Sequence, residues 1–307
     1  MKQRNHIGIL VLLAVALTGC QQIEEEFEQQ TVDTPWKLTI RASRNGNVTR
    51  GIAIGDNEDA ASTTKLQSIW KDGEQVYVYK DATLIGSLKA TPDENDAHYA
   101  TLTGSVSVPT SEIMAGKTRL TLLTPVSIAD WTYTGQEGSL TGSNNSIDDK
   151  YNIAKADDVL VRAVSGKNIT TEKASFANQQ SIYRFSFRFQ KSGEGDKRTI
   201  GVKSITLSAA NGGLWRNETD GTGPLTVSLP KVTTDPIFVA LRFQNTTEEE
   251  TLNFQVVDSD GITYLDSKTI PAASKPNGNF VSIKNTTLTR RMGLTISSKS
   301  ETVATML

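Results

Sequence analysis

A single cysteine, Cys20, excludes any intrachain disulfide in this chain of 307 residues, so packed cores must hold the fold together. Histidine is nearly as scarce. Only two are present, and only His98 lies beyond the first twenty residues, in the polar run Asp93–His98. A histidine-based triad or a zinc site needs a positioned imidazole with partners, and a lone ring in a loop-like stretch offers neither. No basic block interrupts a net charge of −2, which removes the electrostatic basis for nucleic-acid binding. Long apolar runs are missing too. Ile7 to Leu17 is uncharged for only 11 residues, too short to span a bilayer as a lasting helix. Glycosidase chemistry would need just two acids, but no pattern singles out such a pair. Asp258-Ser259-Asp260-Gly261 begins like a calcium loop, lacks the later ligands, and reads as a hairpin turn. The expectation is a protein that is not an enzyme, with no cofactor and no metal.

What is present begins with a leader. Lys2 and Arg4 precede the short apolar core, and small residues follow in Leu17-Thr18-Gly19-Cys20. This is the pattern of a secretory signal peptide over residues 1–19. Ending in a cysteine, it resembles a bacterial lipobox. That resemblance implies that the Cys20 thiol receives a diacylglyceryl group and that the chain is then cut before it. Each buried acyl methylene contributes about 0.8 kcal/mol, and two or more chains anchor stably. Residues 20–34 are rich in glutamate and bury too little apolar surface to offset their ordering entropy, so they read as a solvated tether. An acidic stretch directly after the cysteine also resembles the surface-export signal of Bacteroidetes lipoproteins.

Beyond the tether the chain reads as strands and turns, an all-β protein. Trp36 to Ala42 alternates apolar and polar residues, with Leu38, Ile40 and Ala42 on one face. Val76–Tyr79, Thr118–Leu123, Asp158–Arg162, Val202–Ser208, Leu225–Leu229, Ile237–Phe243, Leu252–Val257, Ile262–Asp266 and Phe280–Ile283 are further strands. Tyr183 to Phe189 is the clearest, with four aromatics on one face; such a stripe fits a sandwich core better than a sugar platform. Helix signals are weak, with short candidates inside Asp56–Ser68 and Ser146–Ala156. Turn chemistry near Ala163–Lys173 divides the chain into β-sandwiches over residues 35–165 and 166–291, with a tail over 292–307.

Several segments together resemble the fimbrillin family, the type V pilin subunits and related surface lipoproteins of Bacteroidetes. They are the lipobox and tether, the strand from Trp36 leading to Val48-Thr49-Arg50, and Ile69-Trp70-Lys71-Asp72-Gly73 before the strand ending at Tyr79. Asp157-Asp158-Val159-Leu160 and Phe176-Ala177-Asn178 through Phe185 complete the set. The chain departs from the family in the order Asp72-Gly73 and in carrying Asn178 where a histidine is common. The resemblance implies two transthyretin-like β-sandwiches in series, a location on the outer membrane surface or in a fimbrium, and other fimbrial subunits as partners. A host or bacterial surface ligand would be a further partner. It also implies cleavage after an arginine and polymerisation by strand exchange.

The residues accommodate that scheme. Trp36, Leu38, Ile40 and Ala42 form an amphipathic strand whose removal would leave an unpaired edge. Arg50, followed by Gly51, is the preferred cut, with Arg41 and Arg44 as alternatives and an uncut loop arginine as the competing reading. The donor strand is open between Gly293–Ser298 and Phe280–Lys284. Trp131, Tyr133 and Trp215 lie beside glycine-rich loops and read as exposed aromatics for a glycan or protein partner. They define the alternative function, a surface glycan-binding lipoprotein of a nutrient-uptake system.

Overall fold

Period-two alternation becomes strand almost throughout the computed structural model, which describes residues 35–44, 68–190 and 198–290. Cys20 with its leader and tether, the cut candidate Arg50-Gly51, the helix candidate up to residue 67 and the tail from residue 291 lie outside the described residues.

The first sheet contains β1 (Trp36–Arg44), β2 (Gln75–Lys80), β3 (Thr83–Pro92), β4 (Tyr99–Val106), β5 (Arg119–Thr124), β6 (Ala154–Ser165), β7 (Asn168–Thr171) and β8 (Ala174–Asn178). Its order is β4-β3-β2-β5-β6-β7-β1, and β1 pairs back onto β4, so seven strands close into a barrel-like sheet. Strand β8 runs on beyond β7 and pairs with both β1 and β6. Leu38, Ile40, Val76, Val78, Leu88, Leu102, Leu122 and Phe176 fill the interior. Closure relies on two glycines. A Cβ on Gly104 would stand 2.4 Å from the Ser87 carbonyl oxygen, and one on Gly86 would stand 2.4 Å from that of Ser105. Only glycine lets β3 and β4 approach this closely.

At the β2–β3 turn, Asp81 and Ala82 both adopt positive φ, 47° and 65°. A two-residue hairpin turn demands this, and alanine is strained there by its Cβ. Ala82→Gly should therefore raise stability by about 0.5–1 kcal/mol, because the relief of strain exceeds the added unfolded-state entropy. Thermal denaturation of the two proteins measures it.

The second half contains β9 (Ser181–Phe189), β10 (Arg198–Thr199), β11 (Val202–Ala209), β12 (Leu214–Asn217), β13 (Gly221–Gly223), β14 (Leu225–Thr233), β15 (Ile237–Leu241), β16 (Glu250–Asp258), β17 (Thr263–Ile270) and β18 (Phe280–Arg290). Strand β9 is flanked by β15 and β10 on one side and by parallel β18 on the other; β17, β16, β11 and β14 follow. Strand β18 pairs with β17 only at its far end, Tyr264↔Arg290 and Leu265↔Thr289. The aromatic face of β9 becomes core: Phe185 and Phe187 meet Phe254 at 6.3 and 6.0 Å, and Phe189 meets Tyr264 at 5.5 Å. Strand β14 ends the order, and Pro230 with Lys231 blunts its free edge against pairing with another chain. Asp258–Gly261 is the β16–β17 turn. The Asp258 carboxylate accepts from the backbone N–H groups of Asp260 and Ile262 and from the Tyr264 hydroxyl, which fixes the turn.

The two halves interlock. Between β5 and β6 the chain makes an excursion that sends Trp131, Tyr133, Leu140, Ile147, Tyr151 and Ile153 into the second core. Its only helical element is one turn, Ile147–Tyr151. Gln136 imitates a neighbouring strand. Its side-chain NH2 donates to the Ala240 carbonyl at 2.9 Å and its Oε1 accepts from the Ala240 N–H at 2.7 Å, covering the outer edge of β15. Gln180 joins the excursion to the sheet handover, accepting from the Tyr133 hydroxyl and the Ile153 N–H and donating to Asn152. Truncating Gln136 to alanine should cost at least about 1–3 kcal/mol, since buried backbone groups of Ala240 lose their partners. Urea titration followed by tryptophan fluorescence reads this loss.

All-β architecture is therefore what the chain adopts, although the first sheet closes as a barrel where an open sandwich was expected. Ser165-Gly166, expected to divide the halves, is the turn of the β6–β7 hairpin inside the first sheet. The chain passes from one sheet to the other between Asn178 and Ser181, and the described residues fall within one compact unit, Thr34–Leu307.

Candidate functional site

Strand β1 occupies a slot with partners on both sides. It runs antiparallel to β4 from Trp36↔Val106 to Ser43↔Tyr99. On its other flank it runs parallel to β7 over Lys37–Thr39 and to β8 over Ala42–Arg44. Trp36, Leu38, Ile40 and Ala42 all point into the first core, at 7%, 0%, 1% and 1% exposure. The Trp36 indole N–H reaches the Val108 carbonyl at 3.3 Å. Lys37 and Arg41 face solvent, as the alternation requires. Without β1 the barrel would be an open sheet with two facing edges of unpaired backbone and a hydrophobic trough between them.

The end of β1 carries a clamp. A charged residue next to Asn45-Gly46 reads as part of an exposed turn, yet Arg44 is buried. Its guanidinium donates to the Ile69 carbonyl at 3.0 Å and to Glu74 Oε1 at 2.5 Å, and it stacks 3.7 Å from the centre of the Trp70 ring. Glu74 also accepts from the Thr124 hydroxyl at 2.8 Å. The Trp70 ring rests edge-on against Phe176. Burial works against the charged guanidinium and lowers its pKa, while Glu74 and, more weakly, Asp148 act in the opposite direction. Nearby, Lys71 pairs with Asp148. The clamp ties the end of β1 to the loop before β2 and to the end of β5. No sequence spacing announces it, because its partners are distant in the chain.

The expected exposed aromatics are not exposed. Trp131, Tyr133 and Trp215 are 6%, 1% and 8% exposed and belong to the second core. Trp131 and Trp215 pack at 5.1 Å, Tyr133 meets Trp215 edge-on at 5.5 Å, and Arg242 covers both indoles at 5.0 Å. The neighbouring glycines suggested surface loops; instead the excursion and the β12–β13 hairpin fold over the sandwich and close on each other. His98 is the solvated residue expected, bonded to Asp96 at 2.8 Å. No group of three or more potential metal ligands occurs among the described residues.

Comparison with known proteins adds names without deciding between readings. No protein-family model matches the chain, and no curated protein does. Among solved structures, it is similar to a candidate cell adhesion protein from Bacteroides fragilis, at 11% identity and a TM-score of 0.38, covering 82% of this chain and 97% of that one. A candidate adhesin from Bacteroides ovatus gives 11% identity and 0.39, covering 80% and 86%. The major pilin from Streptococcus pyogenes gives 9% identity and 0.18, covering 83% and 98%. Likeness at this level fixes neither the fold nor the function of this chain.

Proposed function

We propose that this protein is a structural and adhesive subunit of a cell-surface fimbria, exported as a lipoprotein through Cys20 and assembled by strand exchange. The observation that supports it most is the position of β1. The strand nearest the lipobox and tether completes the first barrel and is paired on both flanks. Proteolysis after it would leave it bound by non-covalent contacts alone. Its departure would open a slot able to take a strand from a neighbouring subunit by β-augmentation. The slot also sets the chemistry of the donor, which needs large apolar side chains at alternate positions, worth roughly 1.5–3 kcal/mol each when fully buried.

Arg41 and Arg44 are poor cleavage sites in this scheme. Both lie in a strand hydrogen-bonded on either side, and a protease needs an extended, accessible backbone. That favours Arg50-Gly51 as the maturation site. Phe280–Lys284 is a poor donor, since it belongs to β18 and pairs with β9. Limiting trypsin followed by N-terminal sequencing tests the scheme. A discrete new terminus at Gly51 supports it; cleavage everywhere except between Arg41 and Gly51 counts against it. The glycan-uptake alternative loses the three aromatic platforms on which it was built.

A further inference from the structure

We propose that a cleft at the junction of the two halves binds a neutral oligosaccharide. Of the three aromatics expected from the sequence only the largely buried Trp131 lines it, and the site is separate from the β1 slot. A cavity of about 700 Å³ opens between β2, the β5–β6 excursion and the β12–β13 turn. That volume lies within the roughly 300–1,000 Å³ usual for small-molecule sites.

Its lining selects among ligand classes. Tyr77, half-buried on the outer face of β2, supplies an aromatic surface. Asn144 supplies an amide, Asp149 a carboxylate and Lys150 an ammonium donor from one stretch of the excursion, and the fold brings the Glu218 carboxylate and Tyr77 to them from separate segments. Asn144, Asp149 and Glu218 are exposed and make no side-chain hydrogen bond or ion pair among the described residues, so these groups are available to a ligand. A cation would use the carboxylates but would be repelled by Lys150 and leave the amide donor idle. An anion would face Asp130, Asp149 and Glu218 together. An apolar ligand would strip water from all of these groups without replacing it. A polyhydroxylated neutral molecule uses donors and acceptors alike, and its C–H faces stack on an aromatic ring. A sugar free in solution and one carried on a glycoprotein present the same chemistry.

The test is a printed array of neutral and sialylated oligosaccharides probed with the purified protein. Titration of the best binder, monitored by intrinsic tryptophan fluorescence, follows. Binding of neutral structures is expected, with affinity lowered about tenfold or more by Tyr77→Ala, and severalfold by Asp149→Asn or Glu218→Gln. The last two replace exposed groups and leave folding intact, so they decide the matter if Tyr77→Ala fails to fold. Equal binding by the free oligosaccharide and by a glycoprotein bearing it assigns recognition to the glycan itself; binding only to the glycoprotein, absence of neutral binders, preference for sialylated ones, or affinity unchanged in Asp149→Asn and Glu218→Gln overturns the proposal. Strand exchange is read by polymer formation, so either idea can fail while the other stands.

Discussion

Glu74→Ala lowers the free energy of unfolding by about 3–5 kcal/mol, the range for breaking a buried ion pair by removing one partner. The reason is the burial of both groups, whose side chains are only 1% and 8% exposed for Arg44 and Glu74. Removing the carboxylate leaves a guanidinium in the protein interior with a carbonyl, an aromatic face and the more distant Asp148 as its remaining support. The Thr124 hydroxyl keeps a second acceptor, the Gln75 carbonyl at 2.6 Å, so most of the loss belongs to Arg44. A double variant distinguishes this cause from lost packing. Arg44→Met with Glu74→Ala removes the stranded charge and should recover most of the stability, since apolar replacements of a buried pair are often neutral. Urea denaturation of the single and double variants measures both effects. The same substitution should also loosen β1, making the backbone at Arg41 a tryptic site in the variant when it is protected in the parent protein.

Ile40→Ala should cost about 2–5 kcal/mol, and Leu38→Ala a similar amount. Both side chains are sealed within the barrel, on the strand whose departure the assembly scheme requires. The substitutions weaken the grip on β1 without touching the second core. A clipped variant should therefore release β1 faster than clipped parent protein and accept a replacement strand sooner. Hydrogen exchange at the β1 amides, compared with that at β9, reads the difference directly. Protection should fall in β1 and persist in β9.

How much of this was legible in the sequence depended on how local the signal was. Strands β1 and β9 declare themselves through strict alternation of large apolar and polar residues, and the β16–β17 turn through Asp-Ser-Asp-Gly. Strands β3 and β4 passed unnoticed because Gly86, Gly104, Ala90 and Pro92 dilute the β signal. Those same glycines are what the closed barrel needs, so a weak local pattern here marks strong tertiary constraint. Closure itself was invisible, since β1 finds its partners β4, β7 and β8 far along the chain. The aromatic expectation failed for a related reason. Glycine beside Trp131, Tyr133 and Trp215 marked irregular backbone correctly, but irregular backbone in the β5–β6 excursion is packed against β15 through Gln136 and not left on the surface. Arg44 escaped because a charged residue near Asn45-Gly46 reads as a turn, and only the fold brings Glu74 and Trp70 to it. The cleft lined by Tyr77, Asp149 and Glu218 draws on three separate segments and had no sequence signature.

Electron microscopy of the protein after limited trypsin treatment, with the N-terminus of the product sequenced in parallel, tests the central claim most directly. The account predicts linear polymers built from chains that begin after Arg50 and have lost the segment from Trp36 to Arg44. Clipped protein that stays monomeric with that segment still seated in the barrel, or polymers that form with the segment still covalently attached, would contradict it.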